Sequence, residues 1–151
     1  MKKEDGVKHV ATNRKALFNY HVEDSMEAGI ELMGSEVKSL RDGKVQLLDA
    51  YAAVEGGQVW LVHLHIGEYA NAGYAAHAPT RARRLLLHKK EIEKLARRVE
   101  EKGYTLIPLE LYFRRGRLKV KLGVCKGKQN YDKRASIKER DERRAASRLE
   151  D

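Results

Sequence analysis

Residues 105–124 restrict the fold of this chain more than any other segment, because a single strand register satisfies their side chains. Thr105, Ile107, Leu109, Leu111 and Phe113 recur at every second position, which puts them on one face of a strand. Leu118, Val120, Leu122 and Val124 do the same on the stretch that follows. Folding the chain at Arg115-Gly116 sets Phe113 against Leu118, Leu111 against Val120, Leu109 against Leu122 and Ile107 against Val124. The other face then carries Glu110 opposite Lys121, a charge pair, and Tyr112 opposite Lys119, an aromatic–cation pair. A slip of one residue would break both patterns together. The sequence therefore predicts a long antiparallel hairpin with one apolar and one polar face.

The rest of the chain supplies more short strands and few helices. Residues 1–12 are polar and predict a flexible N-terminus. Leu17 to Val22, rich in strand formers, and Glu27 to Leu32 alternate as strands do, and Gly29 marks a bulge or a close backbone approach. Ser35 is placed to cap a short helix that Gly43 ends, with Val37 and Leu40 facing the core and Lys38 and Arg41 on a neighbouring face. Tyr51–Val54 and Val59–Val62 flank Glu55-Gly56-Gly57-Gln58, a hairpin turn. His63 and His65 share a strand face, but no third ligand accompanies them, and no metal site is expected. Residues 67–80 have no period and predict a loop. Ile92, Leu95, Ala96 and Val99 fall at helical spacing, and Gly103 supplies the stop; the flanking lysines and arginines are balanced by glutamates, as on a solvated face. This inventory predicts a mainly β protein, an antiparallel barrel of the oligonucleotide-binding (OB) type with about six strands, flanking helices and a basic C-terminal tail. The expected organisation is a flexible 1–12, a barrel domain over 13–125 and a tail over 126–151.

The tail is composed for a helix yet lacks a face on which to dock one. From Lys133 to Arg148 it is Arg, Lys, Glu and Ala almost throughout, with only Ile137, Ala145, Ala146 and Leu149 as apolar candidates. A helix without such a face is marginal alone, so the tail is expected to be disordered when free and helical against an anionic partner. A solvated surface helix that aids solubility is the competing reading.

Charge tilts the choice toward the first. The chain of 151 residues has 31 Lys+Arg against 22 Asp+Glu, a formal charge of +9. The last 26 residues hold 9 basic and 6 acidic groups, so the excess is shared by tail and barrel, as expected for an extended polyanionic partner. The single cysteine, Cys125, forbids an internal disulfide and suits a reducing cytoplasm. No apolar run reaches membrane-spanning length, so no membrane partner is expected.

The sequence offers binding chemistry and no catalytic constellation. There is no phosphate-binding glycine loop, zinc-finger spacing or nucleophile elbow, and no cofactor, small-molecule substrate or enzymatic activity is expected. Candidate phosphate contacts are Arg14 and Lys15, Lys38 and Arg41, the cluster Arg81, Arg83 and Arg84, the face of Lys119 and Lys121, and Lys126 and Lys128. Tyr20, Tyr51, Tyr69, Tyr74, Tyr112 and Tyr131 are candidate stacking platforms for unpaired bases, of which one or two are expected to act. A structural ribosomal protein with a basic extension and an RNA-processing enzyme are the alternatives that composition leaves open.

Five segments, in order and spacing, resemble the family of the SsrA-binding protein, the partner of bacterial transfer-messenger RNA. They are Asn13-Arg14-Lys15-Ala16; Glu27-Ala28-Gly29-Ile30; Gly34-Ser35-Glu36-Val37-Lys38-Ser39-Leu40-Arg41; Pro79-Thr80-Arg81 with Arg84-Leu85-Leu86-Leu87-His88; and Lys126-Gly127-Lys128 with Tyr131-Asp132-Lys133-Arg134. The resemblance implies an OB-type barrel that clasps the tRNA-like domain of transfer-messenger RNA and brings it to stalled ribosomes. It implies that Asn13, Glu27 and Leu86 serve RNA binding. Glu27, a carboxylate in a basic protein, is suited to hydrogen-bond base or ribose groups rather than phosphate. It implies further that the tail enters the empty message channel, with Tyr131 stacking near the decoding centre and Asp132, Lys133 and Arg134 as its motif. Lys138, Arg140, Arg143, Arg144 and Arg148 would then grip ribosomal RNA. One departure stands out: Gln129 follows Lys128 where the family usually has a second lysine.

Overall fold

Nine strands and three helices follow one another between Val7 and Gly127, ahead of helical stretches in the tail, in a computed structural model that describes residues 6–47, 49–68, 77–101, 103–128, 133–134 and 137–144. The predicted hairpin is there. Strand β8 (Tyr104–Arg114) turns at Arg115-Gly116 into β9 (Arg117–Gly127), and both turn residues take left-handed φ, +52° and +79°. A two-residue loop with this geometry matches the twist of the strands it joins. Phe113 pairs with Leu118, Leu111 with Val120, Tyr112 with Lys119 and Glu110 with Lys121, as expected.

Beyond Glu110 the register differs from the expected one. A bulge at Leu109 moves the pairing by one, so that Pro108 meets Leu122, Ile107 meets Gly123 and Leu106 meets Val124. The cause lies in Pro108, which has no N–H to give a ladder, and in Asn13, which holds both neighbouring carbonyls. The Asn13 amide N–H donates to the Leu109 carbonyl at 2.8 Å, and its side-chain Nδ2 donates to the Pro108 carbonyl at 3.0 Å. The bulge sends Leu106, Leu111 and Phe113 into the barrel, whereas Ile107 and Leu109 pack outside it with Ala16 and Cys125. Leu109 lies so close over Gly123 that a β-carbon there would stand 2.7 Å from Leu109 Cδ1.

Six strands close into a ring. Strand β2 (Tyr20–Ile30) pairs with β9 on one edge and with β7 (Arg83–Leu86) on the other; β7 pairs with β5 (Gln58–Val62), and β5 with β4 (Tyr51–Glu55). The ring is completed where Ala52 of β4 meets Leu106 of β8. Helix α3 (Lys89–Glu100) packs on both β4 and β8 along this thin seam and contributes Ile92 and Leu95 to the core. This is the OB-type barrel. Its interior is filled by residues such as Leu61, Leu85, Leu106, Leu111, Val120 and Leu122, all essentially inaccessible to solvent.

Three expectations need correction. Residues 7–12 are not a flexible end: β1 (Val7–Thr12) pairs with the outer half of β8, whose edge there is left open by the short β4. Leu17 and Phe18 belong to a helix, α1 (Arg14–Asn19), because Asn13 caps it by accepting from the Ala16 amide at 3.1 Å. Ser35 lies inside α2 (Gly34–Arg41) rather than at its cap, and its hydroxyl is bonded to His77 Nδ1 at 2.9 Å. A two-stranded ribbon of β3 (Val45–Gln46) and β6 (His65–Ile66), which the sequence did not reveal, flanks α2.

Gly123→Ala tests the bulge. The added methyl must displace the packed Leu109, and we expect a loss of about 1–3 kcal/mol, read as a lower urea midpoint with an unchanged slope.

Candidate nucleic-acid interface

The polar face of the hairpin continues across β2 and β7 as one outer surface. Lateral pairing builds a row of Tyr112, Lys119, Gly29 and Leu86, and beside it a row of Glu110, Lys121 and Glu27. Gly29 is needed here for the close approach of its neighbour: a β-carbon would come 3.2 Å from Leu86 Cβ. With no side chain at Gly29, the surface sinks between Lys119 and Leu86 into a groove of about 800 Å³ that Arg84, His88 and Lys89 also line. Leu86 stands on the rim of this groove with 47 % of its surface exposed, although it follows the fully buried Leu85. Strand alternation turns one leucine into the barrel and leaves the next in solvent.

Glu27 occupies the centre of the surface. It lines the groove at Leu86 and two others, one of about 430 Å³ with Ser25 and Lys121, and one of about 650 Å³ with Arg115 and Arg117. Its Oε2 accepts from the Tyr112 hydroxyl at 2.5 Å and lies 3.0 Å from Arg114 Nη1. The guanidinium of Arg114 in turn lies over the Tyr112 ring, 5.6 Å from its centre. Burial, and then the bond to Glu27, pushes the Tyr112 hydroxyl up to about 12, so it stays protonated and donates. Tyr112 is itself only 9 % exposed, which removes it as a stacking platform for a base.

The basic cluster at 81–84 divides in a way its composition conceals. Arg83 is fully buried and ion-paired with the equally buried Glu36 of α2, and it also donates to the carbonyls of Leu64 at 2.8 Å and Pro79 at 3.0 Å. It is therefore a structural residue and not a phosphate contact. Arg81 is committed to the same carboxylate, through Nε at 3.1 Å and Nη2 at 2.5 Å. Burial raises the Glu36 carboxyl, but the bonds from Arg81, the Met33 amide and Arg83 outweigh it and hold it below the ordinary value. Burial lowers the Arg83 guanidinium, and Glu36 opposes that shift. Arg84 points outward and pairs with Glu31 at 2.7 Å.

The remaining candidates fall on other parts of the surface. Asn13 is buried, and its side chain is spent on α1 and the β8 bulge, so it holds Arg14 and Lys15 in place rather than presenting itself. Arg14 and Lys15 are exposed; Lys15 lies 3.8 Å from Asp49, beside a hollow of about 300 Å³ with Tyr20 and the exposed Tyr51. Lys38 and Arg41 are exposed on α2, with Arg41 over the Phe113 ring. Lys126 lies over the Tyr104 ring, and burial pushes the neighbouring Cys125 thiol up to about 11, which leaves it protonated near neutral pH. On α3, Lys94 and Arg98 are paired with Asp24 and Glu23. In the tail, residues 137–144 are helical and exposed, including Lys138, Arg140, Arg143 and Arg144, and these three arginines share a groove with Arg14 and Lys128. Lys133 and Arg134 are helical too, whereas Tyr69, Tyr74, Gln129, Tyr131, Asp132 and Arg148 lie outside the described residues.

Arg114, Arg115 and Arg117 escaped the sequence reading although a signal was present. The alternation that placed Lys121 and Lys119 on the outer face extends to Arg117, and the alternation that placed Tyr112 there extends to Arg114.

Known proteins resemble this chain along most of its length. A family model described as SmpB protein matches residues 10–151. The SsrA-binding protein of Treponema pallidum subsp. pallidum is 55 % identical over 143 residues, covering 95 % of this chain and 93 % of the relative. That of Leifsonia xyli is 53 % identical over 148 residues, covering 98 % and 94 %. A chain from the solved structure "tmRNA-SmpB: a journey to the center of the bacterial ribosome" is 43 % identical and superposes with a TM-score of 0.69 over 86 % of this chain and 95 % of its own.

Replacing Glu36 by Ala strands the buried Arg83, and we expect a loss of about 3–5 kcal/mol in chemical denaturation. Because the folded Glu36 carboxyl is depressed, its contribution is whole above the ordinary value of 4.5 and fades as pH falls through the folded one. Glu36→Gln should flatten that acid limb in a series of denaturation curves.

Proposed function

This chain belongs to the SmpB family, and from that premise we propose that it is an RNA-binding adaptor of trans-translation. In this reading it binds the tRNA-like domain of transfer-messenger RNA and delivers that RNA to stalled ribosomes. The observation that carries the barrel's part is the outer surface centred on Glu27, where three grooves meet among exposed cations and one exposed leucine. Such a surface suits a folded RNA, whose backbone is met by charge and whose bases or riboses offer hydrogen-bonding edges. Lys119, Lys121 and Arg84 supply charge there, and Leu86 supplies apolar contact area. Asn13 serves binding indirectly, by fixing α1 and with it Arg14 and Lys15.

The tail does the second half of the work. Residues 126–151 carry charge without an apolar face, and past the end of β9 the described stretches 133–134 and 137–144 are helical, the second exposed throughout. We assign it to the empty message channel, where it becomes helical along its length and Lys133, Arg134, Lys138, Arg140, Arg143, Arg144 and Arg148 meet ribosomal RNA. Tyr131 and Asp132 stand at its entrance to the decoding centre. The protein acts by binding and placement, with no cofactor, metal or chemical step, and its work lies in the cytoplasm with the ribosome.

The direct test is to recover the full-length protein from a bacterial lysate at moderate salt and sequence the RNA bound to it. Strong enrichment of transfer-messenger RNA is expected, and enrichment of ribosomal RNA alone would overturn the adaptor reading in favour of a structural ribosomal protein. Deleting 132–151 should leave thermal melting and affinity for transfer-messenger RNA nearly unchanged while abolishing tagging on stalled ribosomes. Loss of RNA affinity in the truncated chain would refute this division of labour.

A further inference from the structure

We infer that the tip of the β8–β9 hairpin is an RNA-phosphate site formed by Arg114, Arg115 and Arg117, and that Glu27 acts on RNA through Arg114 rather than by touching RNA itself. This rests on the RNA-binding reading above and deepens it.

The geometry around Glu27 is the first ground. Glu27 reaches the grooves it lines, but a direct ligand of base or ribose groups would keep its carboxylate uncommitted. Here one oxygen is shared by the Tyr112 hydroxyl and Arg114 Nη1. A carboxylate so engaged is built to hold its donors. Arg114 is gripped on two sides, by Glu27 through charge and by the Tyr112 ring beneath it. A guanidinium pre-set in this way binds a phosphate with less loss of side-chain freedom than a loose one.

The surroundings are the second ground. Arg114, Arg115, Arg117 and Lys119 line one open groove of about 650 Å³, and Glu27 is the one acidic group that lines it with them. Four cations against one carboxylate attract a polyanion, and the groove runs on through Glu27 to the depression at Gly29 and Leu86. A phosphodiester backbone could thus cross from the hairpin tip to the leucine without leaving the basic surface. The turn itself points the same way. Arg115 holds a left-handed φ of +52°, a conformation that Asn or Gly adopts more readily. Keeping an arginine there places an exposed charge at the apex of the rigid hairpin.

A double-mutant cycle decides the matter, with RNA affinity measured by anisotropy across a salt series on the full chain. The probes are a labelled tRNA-like domain of transfer-messenger RNA and an unrelated hairpin RNA of equal length. By charge alone, removing Glu27 from a basic surface should tighten binding. We expect Glu27→Ala to weaken it, to lower the salt slope by about one phosphate contact (~0.7–0.9), and to match Arg114→Ala in both respects. The double variant should be no weaker than Arg114→Ala alone. Tyr112→Phe keeps every charge and the ring, and should weaken binding in the same direction but less. Arg115→Ala and Arg117→Ala should each lower the slope in the same manner. If Glu27→Ala weakens binding with an unchanged slope and adds fully to Arg114→Ala, Glu27 touches RNA directly and the inference is wrong. If Arg114→Ala binds as the wild type does, the phosphate site is wrong. Failure of the parent reading has its own signature, namely wild-type protein that does not prefer the tRNA-like domain over the unrelated hairpin.

Discussion

The buried carboxylate of Glu36 is the interaction on which the proposed RNA-facing side of this barrel depends. It joins α2 to β7 through Arg83, reaches the segment before β7 through Arg81, and is itself tied to the start of its helix by the Met33 amide. Arg83 extends the cluster to the carbonyls of Leu64 and Pro79. An ion pair buried to this depth contributes little net stability compared with an apolar replacement, but breaking one side of it is costly. What it supplies is placement. With Arg83 fixed inward, alternation along β7 turns Arg84 and Leu86 outward at a set height, beside the gap left by Gly29. The same cluster sets the orientation of α2 and therefore of Lys38 and Arg41.

A second constraint governs the opposite end of the barrel. The bulge at Leu109 lets one long strand serve two cores: Leu106, Leu111 and Phe113 fill the barrel, while Ile107 and Leu109 form a separate cluster under α1. Asn13 stitches the two together, because one side chain caps the helix and pins the bulge. A residue of this kind can matter for RNA binding without contacting RNA, since the cations that follow it in α1 take their position from it. The hairpin thus has a rigid base under α1 and a basic tip at Arg115-Gly116, with Glu27 between them on the neighbouring strand.

The proposed division of labour between barrel and tail has physical grounds. A folded RNA presents grooves and projecting edges, and a rigid sheet surface with fixed cations complements it. A channel that normally holds an extended message calls for a slender, charged segment with no obligation to pack on its own domain. The 137–144 stretch has that character.

The sequence by itself determined the hairpin turn, the register from Glu110 to Leu118 and its partners, the helix expected over 88–102 and found as Lys89–Glu100, the Gly56-Gly57 turn and the basic character of both parts. Each of these rests on a local rule: side-chain period, turn chemistry or charge. The resemblance of five short segments to the SsrA-binding protein family was legible for the same reason, since motifs are local. Only the tertiary structure decided the bulge at Leu109, because it depends on Asn13 reaching across from another element. It alone decided that Arg83 lies inside while Arg84 lies outside, since the partner that neutralises Arg83 stands 47 residues away in α2. Likewise it joined Glu27 to Tyr112 and Arg114, residues more than eighty positions along the chain. A run of arginines reads from sequence as one basic patch; which of them meet solvent is set by the distant carboxylates that the fold brings to them.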